Sequence, residues 1–278
     1  MKVLILGASG LLGQALMREW SGDEGVGLSS RDVDIRDSGK VLQVMSSTRP
    51  EWIVLSAAYT DVDGCESRQQ LAFAVNRDGA VNVAEAAKHI GAKLLFLSSD
   101  YVFDGKKTSP YETQDSRNPQ SVYGRTKAEA EVRLQELLPE CCVVRTSWLF
   151  GAGGKCFPDT ILKLAATRPA LDVVNDQRGC PTYTVDLSKA IVELCRKGAS
   201  GIVHATNAGN CSWFEFASEI VRAAGLPTEV RPVSTQQMTR PAPRPAYSVL
   251  SSASLRRWGI VMPAWPDALQ RYLKERQA

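Results

Sequence analysis

The chain has 278 residues, with 33 lysines and arginines against 30 aspartates and glutamates, a formal net charge of +3, and neither sign gathers into a long run. That balance gives non-specific nucleic-acid binding little support. The seven cysteines (Cys65, Cys141, Cys142, Cys156, Cys180, Cys195 and Cys211) are odd in number and lack CxxC or Cys/His spacing, so neither a disulfide framework nor a zinc site follows, and they read as cytosolic thiols.

Short β-branched or leucine-rich runs alternate with longer amphipathic segments. The opening "MKVLILGASG" lacks the layout of a signal peptide, and no apolar run is long enough for a membrane span, so 2–7 is expected to be a first buried strand. Further strands are predicted at 25–29, 51–57, 93–99, 141–150, 170–175 and 201–207, and helical patterns at 11–20, 71–90, 121–138, 157–168, 185–196 and 212–224. Nearly continuous apolar strands separated by helices predict a parallel sheet covered on both faces, the doubly wound, Rossmann-like α/β fold. At this length we expect a dinucleotide-binding domain over 1–155 with a return segment near 176–206, and a smaller C-terminal substrate-binding lobe from 156–175 and 207–278. Proline gathers in "RPAPRPA" at 240–246, which reads as an ordered loop that delivers side chains to a site.

The first strand runs into "GASGLLG", where Gly7, Gly10 and Gly13 bracket Leu11 and Leu12 before a helix. Glycine there lets the backbone approach a pyrophosphate, and the helix amino terminus offers unpaired N–H groups. A strand-to-helix turn wants glycine for structural reasons alone, but the position on the first strand of a βαβ unit favours binding. The second strand leads into "LSSRDVDIRD". If it ends at Ser29, then Ser30 and Arg31 face the ribose, and the arginine accommodates the 2′-phosphate of NADPH; if it runs longer, Asp32 is the acid that grips the ribose of NADH. The reading favours NADPH and leaves NADH open.

The fourth strand ends in "SSDYVFDG", and the helix after it carries "YGRTK", with Tyr123 and Lys127 on one face at i, i+4. Such a pair arises by chance on many solvated helices. Its meaning comes from order: glycine loop, serine pair at a strand's carboxyl end, then the tyrosine and lysine.

With "VYGRTKAEAE", "RTSWLFG", "VNDQRGCPTY" and "RPAYSVL" following "SSDYVFDG" in that order, the chain resembles the extended short-chain dehydrogenase/reductases, and within them the dTDP-4-dehydrorhamnose reductase family. The resemblance implies NAD(P)H-dependent reduction of the 4-keto group of a dTDP-4-keto-6-deoxyhexose, with dTDP-4-dehydro-L-rhamnose going to dTDP-L-rhamnose. Tyr123 would protonate the ketone oxygen, Lys127 would hold the ribose and lower the tyrosine pKa, and Ser99 would hydrogen-bond the carbonyl, with Ser98 turned to the other face by strand alternation. Asp100 and Trp148 match positions lining the sugar pocket. Asp34 and Ile35 resemble an adenine-contacting pair, and Ala57, Ala58 and Tyr59 a backbone stretch beside the cofactor, although small residues also suit a crowded strand end. Arg244 reads either as a clamp on the sugar nucleotide's phosphates or as a solvated loop arginine. His89 and His204 read as structural. Some family members carry acidic residues, associated with magnesium and dimerisation, where this chain has Ala15 and Val185, so no metal is expected and a homodimer stays open. Two alternatives stand beside this reading: a reductase of another NDP-4-keto sugar, and a non-catalytic subunit like the regulatory subunit of methionine adenosyltransferase, which shares "SSDYVFDG". "VNDQRGCPT" with "RTSWLF" favours the reductases.

Overall fold

The computed structural model describes residues 1–20 and 24–277. In chain order its elements are β1 (Lys2–Leu6), α1 (Leu11–Glu19), β2 (Glu24–Leu28), α2 (Ser38–Thr48), β3 (Trp52–Leu55), α3 (Val62–Ser67), α4 (Gln69–Phe73), a π-helical segment (Ala74–Asp78), α5 (Gly79–Ile90), β4 (Lys93–Ser99), α6 (Val122–Leu137) and β5 (Cys142–Thr146). They continue with β6 (Leu149–Phe150), α7 (Phe157–Ala165), β7 (Ala170–Val174), β8 (Arg178–Gly179), β9 (Thr182–Tyr183), α8 (Thr184–Arg196), β10 (Gly201–His204), β11 (Cys211–Ser212), α9 (Trp213–Ala223), β12 (Glu229–Val233), α10 (Ala253–Arg257) and α11 (Trp265–Gln277).

Six strands form one parallel sheet in the order β10-β5-β4-β3-β1-β2. The apolar runs are continuous because both faces are buried. In β1, Val3 and Ile5 enter one core with Leu12, Leu16 and Leu187, while Leu4 and Leu6 enter the opposite core with Val83, Phe96 and Leu134. The segment after β9 returns to the sheet, where α8 packs on α1 and β10 pairs with β5. A third core, around Phe150, Phe216 and Tyr272, gathers α7, α9 and α11 and the two-stranded sheet of β7 and β12. Among the described residues no helix is long and apolar enough to cross a membrane.

Four differences from the sequence reading have physical causes. The strand expected at 141–150 breaks after Thr146: Trp148 takes a left-handed φ of 47°, and the chain resumes as β6, paired with β9 outside the main sheet. The strand expected at 170–175 forms, but pairs with β12. The helix expected over 71–90 is interrupted by the π-helical turn, a feature that re-aims side chains. Finally, α2 escapes the periodicity because its buried stripe is thin: it buries only Val41 and Met45 and is fixed by Asp37, whose carboxylate accepts from Lys40 N at its amino terminus; α11, which buries Ala268, Leu269, Tyr272 and Leu273, is an addition to the expected helices.

Candidate active site

The carboxyl ends of the sheet strands open into one cleft of about 680 Å³, bordered at one end by the glycine loop and at the other by Ser99, Tyr123 and Trp148. Such sheets place ligands at this edge. Gly7, with φ of 94°, leaves no room for a side chain, since a Cβ would stand 2.6 Å from Ala57 N; at Gly13 it would stand 2.1 Å from the Gly7 carbonyl oxygen. Those two glycines are required by packing. Gly10 is not: its φ is −75° and a Cβ there would meet only the Gly7 carbonyl, at 3.2 Å. What glycine preserves at position 10 is clearance in the cleft above the first turn of α1, which suits a cofactor pyrophosphate lying on the helix amino terminus.

Leu11, Leu12, Ser30, Asp34, Ile35, Ala57 and Ala58 also border the cleft, as expected positions for dinucleotide contacts. Asp32 is already engaged. Its carboxylate accepts from Ser29 Oγ (2.6 Å) and Ser29 N (2.8 Å), and these bonds, the hydroxyl's foremost, hold it below the usual carboxylate range. The strand ends at Leu28, so Ser30 reaches the cleft; Arg31 is exposed and stands off its wall, which carries Arg36 instead, held by Asp34 through Nε (2.9 Å). Tyr59 is the member of that stretch that does not border the cleft. Asn76, aimed by the π-helical turn, accepts from Tyr59 N at 2.7 Å and donates to its carbonyl at 3.1 Å, and the ring packs with Cys65, Ala72 and Val122 away from the cleft wall.

At the other end the reacting groups converge. Ser99 Oγ donates to Asp100 Oδ1 at 2.9 Å and lies beside the Tyr123 hydroxyl, while Ser98 Oγ is committed to Glu131 Oε1 at 2.5 Å. Alternation along β4 thus separates the two serines' tasks. Tyr123 is half-buried and packs edge-on against Tyr101, with ring centroids 5.7 Å apart at 77°. Lys127, 3 % exposed, donates to Leu97 O at 2.9 Å and sits 4.6 Å over the Phe96 ring. Burial brings the Lys127 ammonium down to about 8, with Glu131 acting against it. Burial raises the phenol, with Asp100 adding to the rise and the Ser99 hydroxyl opposing it, and the Lys127 ammonium keeps N–H donors beyond the one given to the Leu97 carbonyl. Asp100 is buried, its Oδ2 has no hydrogen-bond partner, and burial pushes its carboxyl up to about 6 against the Ser248 and Ser99 hydroxyls. Thr146 Oγ1, also bordering the cleft, has no partner either. Unpaired buried polar atoms are costly in a fold and fit a polar ligand.

Trp148 stacks on Trp213 with centroids 3.5 Å apart, and Gly179 makes room for it, since a Cβ there would be 2.5 Å from its ring. Arg244 borders a neighbouring cavity of about 360 Å³, which shares Tyr101 and Trp213 with the cleft and also carries Arg240, Phe157 and Gln177. Its guanidinium pairs with Asp63 at 3.0 Å and donates to Ala242 O at 2.9 Å, so it is an ordered arginine rather than a solvated one. At the positions read as metal-free, Ala15 is buried in α1, and the carboxylate beside Val185, Asp186, is gripped by Arg271 through both terminal nitrogens (2.7 and 2.8 Å).

Sequence reasoning missed Asn76, Glu131, Arg145 and Trp213. Glu131 lies one turn beyond Lys127, fully buried, and receives Arg145 (2.7 and 2.9 Å), Arg117 (2.5 Å) and Ser98; it fastens the Tyr/Lys helix to β4 and β5. Its i+8 spacing from Tyr123 was visible, but its partners were not. Asn76 also donates to Thr126 Oγ1 at 3.0 Å, tying the loop after β3 to the same helix.

A doubly wound sheet with a glycine loop and a Ser/Tyr/Lys group in one cleft defines a dinucleotide-binding protein of the short-chain dehydrogenase/reductase type. The chain belongs to the RmlD substrate binding domain family, which matches residues 1–278. It is 40% identical to the spore coat polysaccharide biosynthesis protein SpsK of Bacillus subtilis, over 100% of this chain and 98% of that protein. It is also 40% identical to the dTDP-4-dehydrorhamnose reductase of Mycobacterium tuberculosis, over 96% of this chain and 91% of the relative. The crystal structure of dTDP-4-dehydrorhamnose reductase from Bacillus anthracis in complex with NADP superposes with a TM-score of 0.96 at 39% identity, covering 99% of this chain and 100% of that one.

Proposed function

We propose that the chain is an NADPH-dependent oxidoreductase that reduces the 4-keto group of a dTDP-4-keto-6-deoxyhexose, converting dTDP-4-dehydro-L-rhamnose to dTDP-L-rhamnose in the cytosol. The observation that carries the reading is the convergence of Ser99, Tyr123 and Lys127 at the end of β4, in the same cleft as a glycine loop whose middle member leaves space that packing does not require. NADPH, when bound, supplies the hydride. Residues Gly7 to Gly13 hold its pyrophosphate, Ser30 on the cleft wall and Arg31 from the exposed edge beside it its 2′-phosphate, Asp34 and Ile35 the adenine side, and Lys127 the nicotinamide ribose. The Ser99 hydroxyl hydrogen-bonds the substrate carbonyl oxygen, and the Tyr123 hydroxyl beside it delivers its proton to that oxygen.

Residues 1–155 with 176–206 act as the dinucleotide-binding domain, and 156–175 with 207–278 as the substrate lobe. The smaller cavity supports this division: two arginines for a diphosphate, and Phe157 and Trp213 as apolar surface for a base, lie where the lobe meets the sugar end of the cleft. The test is oxidation of NADPH, followed by its absorbance, against a panel of NDP-4-keto sugars. Fastest turnover with dTDP-4-dehydro-L-rhamnose is expected. A preference for another sugar would move the chain to a different 4-ketoreductase, and binding without turnover on any of them would favour a non-catalytic subunit.

A further inference from the structure

The loop between β6 and α7 reads "GAGGKC" at 151–156 and lies against the cofactor end of the cleft. Two observations fix it there. A Cβ on Gly154 would stand 3.3 Å from the Leu11 side chain, which places the loop on the first turn of α1. The Gln14 carboxamide donates both to Ser9 O (3.0 Å), inside the glycine loop, and to Gly153 O (2.6 Å), so one side chain ties the two loops together. Gly153, at φ of 95°, makes this approach feasible, because a Cβ would lie 2.2 Å from the Gln14 oxygen. Lys155 then borders the cleft.

The charged side chains around the cleft are Asp34, Arg36, Asp100, Lys127 and Lys155. Arg36 is held by Asp34, and Lys127 is buried on the Leu97 carbonyl at the far end. Lys155 is the cation on that wall for which no hydrogen bond or ion pair is seen among the described residues. A cofactor pyrophosphate brings two negative charges to the amino terminus of α1, where the protein otherwise offers only N–H dipoles. Building on the cofactor site proposed above, we infer that Lys155 is a second ligand of that pyrophosphate, reaching it from the loop that faces α1, and that Gln14 is the residue that positions this loop.

The experiment is fluorescence titration of the purified enzyme with NADPH and with NADH, without sugar nucleotide. Binding by the wild type tests the cofactor site by itself. Lys155→Ala should raise the Kd for both dinucleotides about tenfold, a charge-assisted bond discounted for exposure, and should flatten the dependence of Kd on salt. Lys155→Arg should retain most of the affinity. Gln14→Leu should weaken binding in the wild-type background and add little to Lys155→Ala, because both act through one contact. An unchanged Kd in Lys155→Ala would overturn the inference. So would a loss confined to NADPH, which would move the lysine to the 2′-phosphate.

Discussion

Asp100 is held in the fold at a cost that pH should reveal. Its carboxyl is buried with a pKa moved from 3.8 to about 6. Below the lower value both folded and unfolded chains hold the proton, and burial costs nothing through this group. Between the two the folded state must either keep a proton that the unfolded state has released or bury the charge, and above about 6 the full penalty stands. That penalty is about 3 kcal/mol at pH 8 and about half that at pH 5. Asp100→Asn preserves shape and removes the charge, while weakening the bond accepted from Ser99 by about 1 kcal/mol. The net gain is then about 2 kcal/mol at pH 8 and much smaller at pH 5. For a chain of this length, at roughly 2 °C per kcal/mol, the melting temperature should rise by about 4 °C at the higher pH and about 1 °C at the lower. Thermal denaturation of both proteins by circular dichroism at the two pH values measures it. The variant should also lose affinity for the sugar nucleotide, the trade expected of a carboxylate kept for binding. A melting temperature lowered at pH 8, or a gain that does not change with pH, would refute the assignment of a buried, unpaired charge to this residue.

Gly10→Val should abolish NADPH binding in titrations while circular dichroism reports a folded chain, since position 10 is limited by the ligand more than by packing; undiminished affinity would remove the loop from the site. Arg31→Ala should raise the KM for NADPH more than that for NADH, because only the former has a 2′-phosphate to lose, and equal effects would assign that recognition to Ser30 and Arg36 on the cleft wall.

The sheet was legible because burial on both faces leaves unbroken apolar runs, and the glycine loop because its backbone has few alternatives. The Tyr123 and Lys127 helix was legible through its i, i+4 spacing and its place after a strand. What stayed hidden depends on partners distant in the chain. Glu131 reads as one more surface glutamate in "KAEAE" until Arg117, Arg145 and Ser98 are brought around it. Asn76 acquires its role from a π-helical turn that no propensity marks, and it is this residue that holds the Tyr59 backbone. For Lys127, spacing puts the ammonium on the right face, but only the fold shows that one of its donors meets the Leu97 carbonyl.

The central claim is that the Tyr123 hydroxyl is the proton donor, and Tyr123→Phe tests it with one oxygen removed and the ring retained. NADPH oxidation with dTDP-4-dehydro-L-rhamnose should fall by about 10²–10⁴-fold in kcat, while the Kd for NADPH and the KM for the sugar nucleotide stay near their wild-type values. A Tyr123→Phe enzyme that turns over at the wild-type rate would contradict the account.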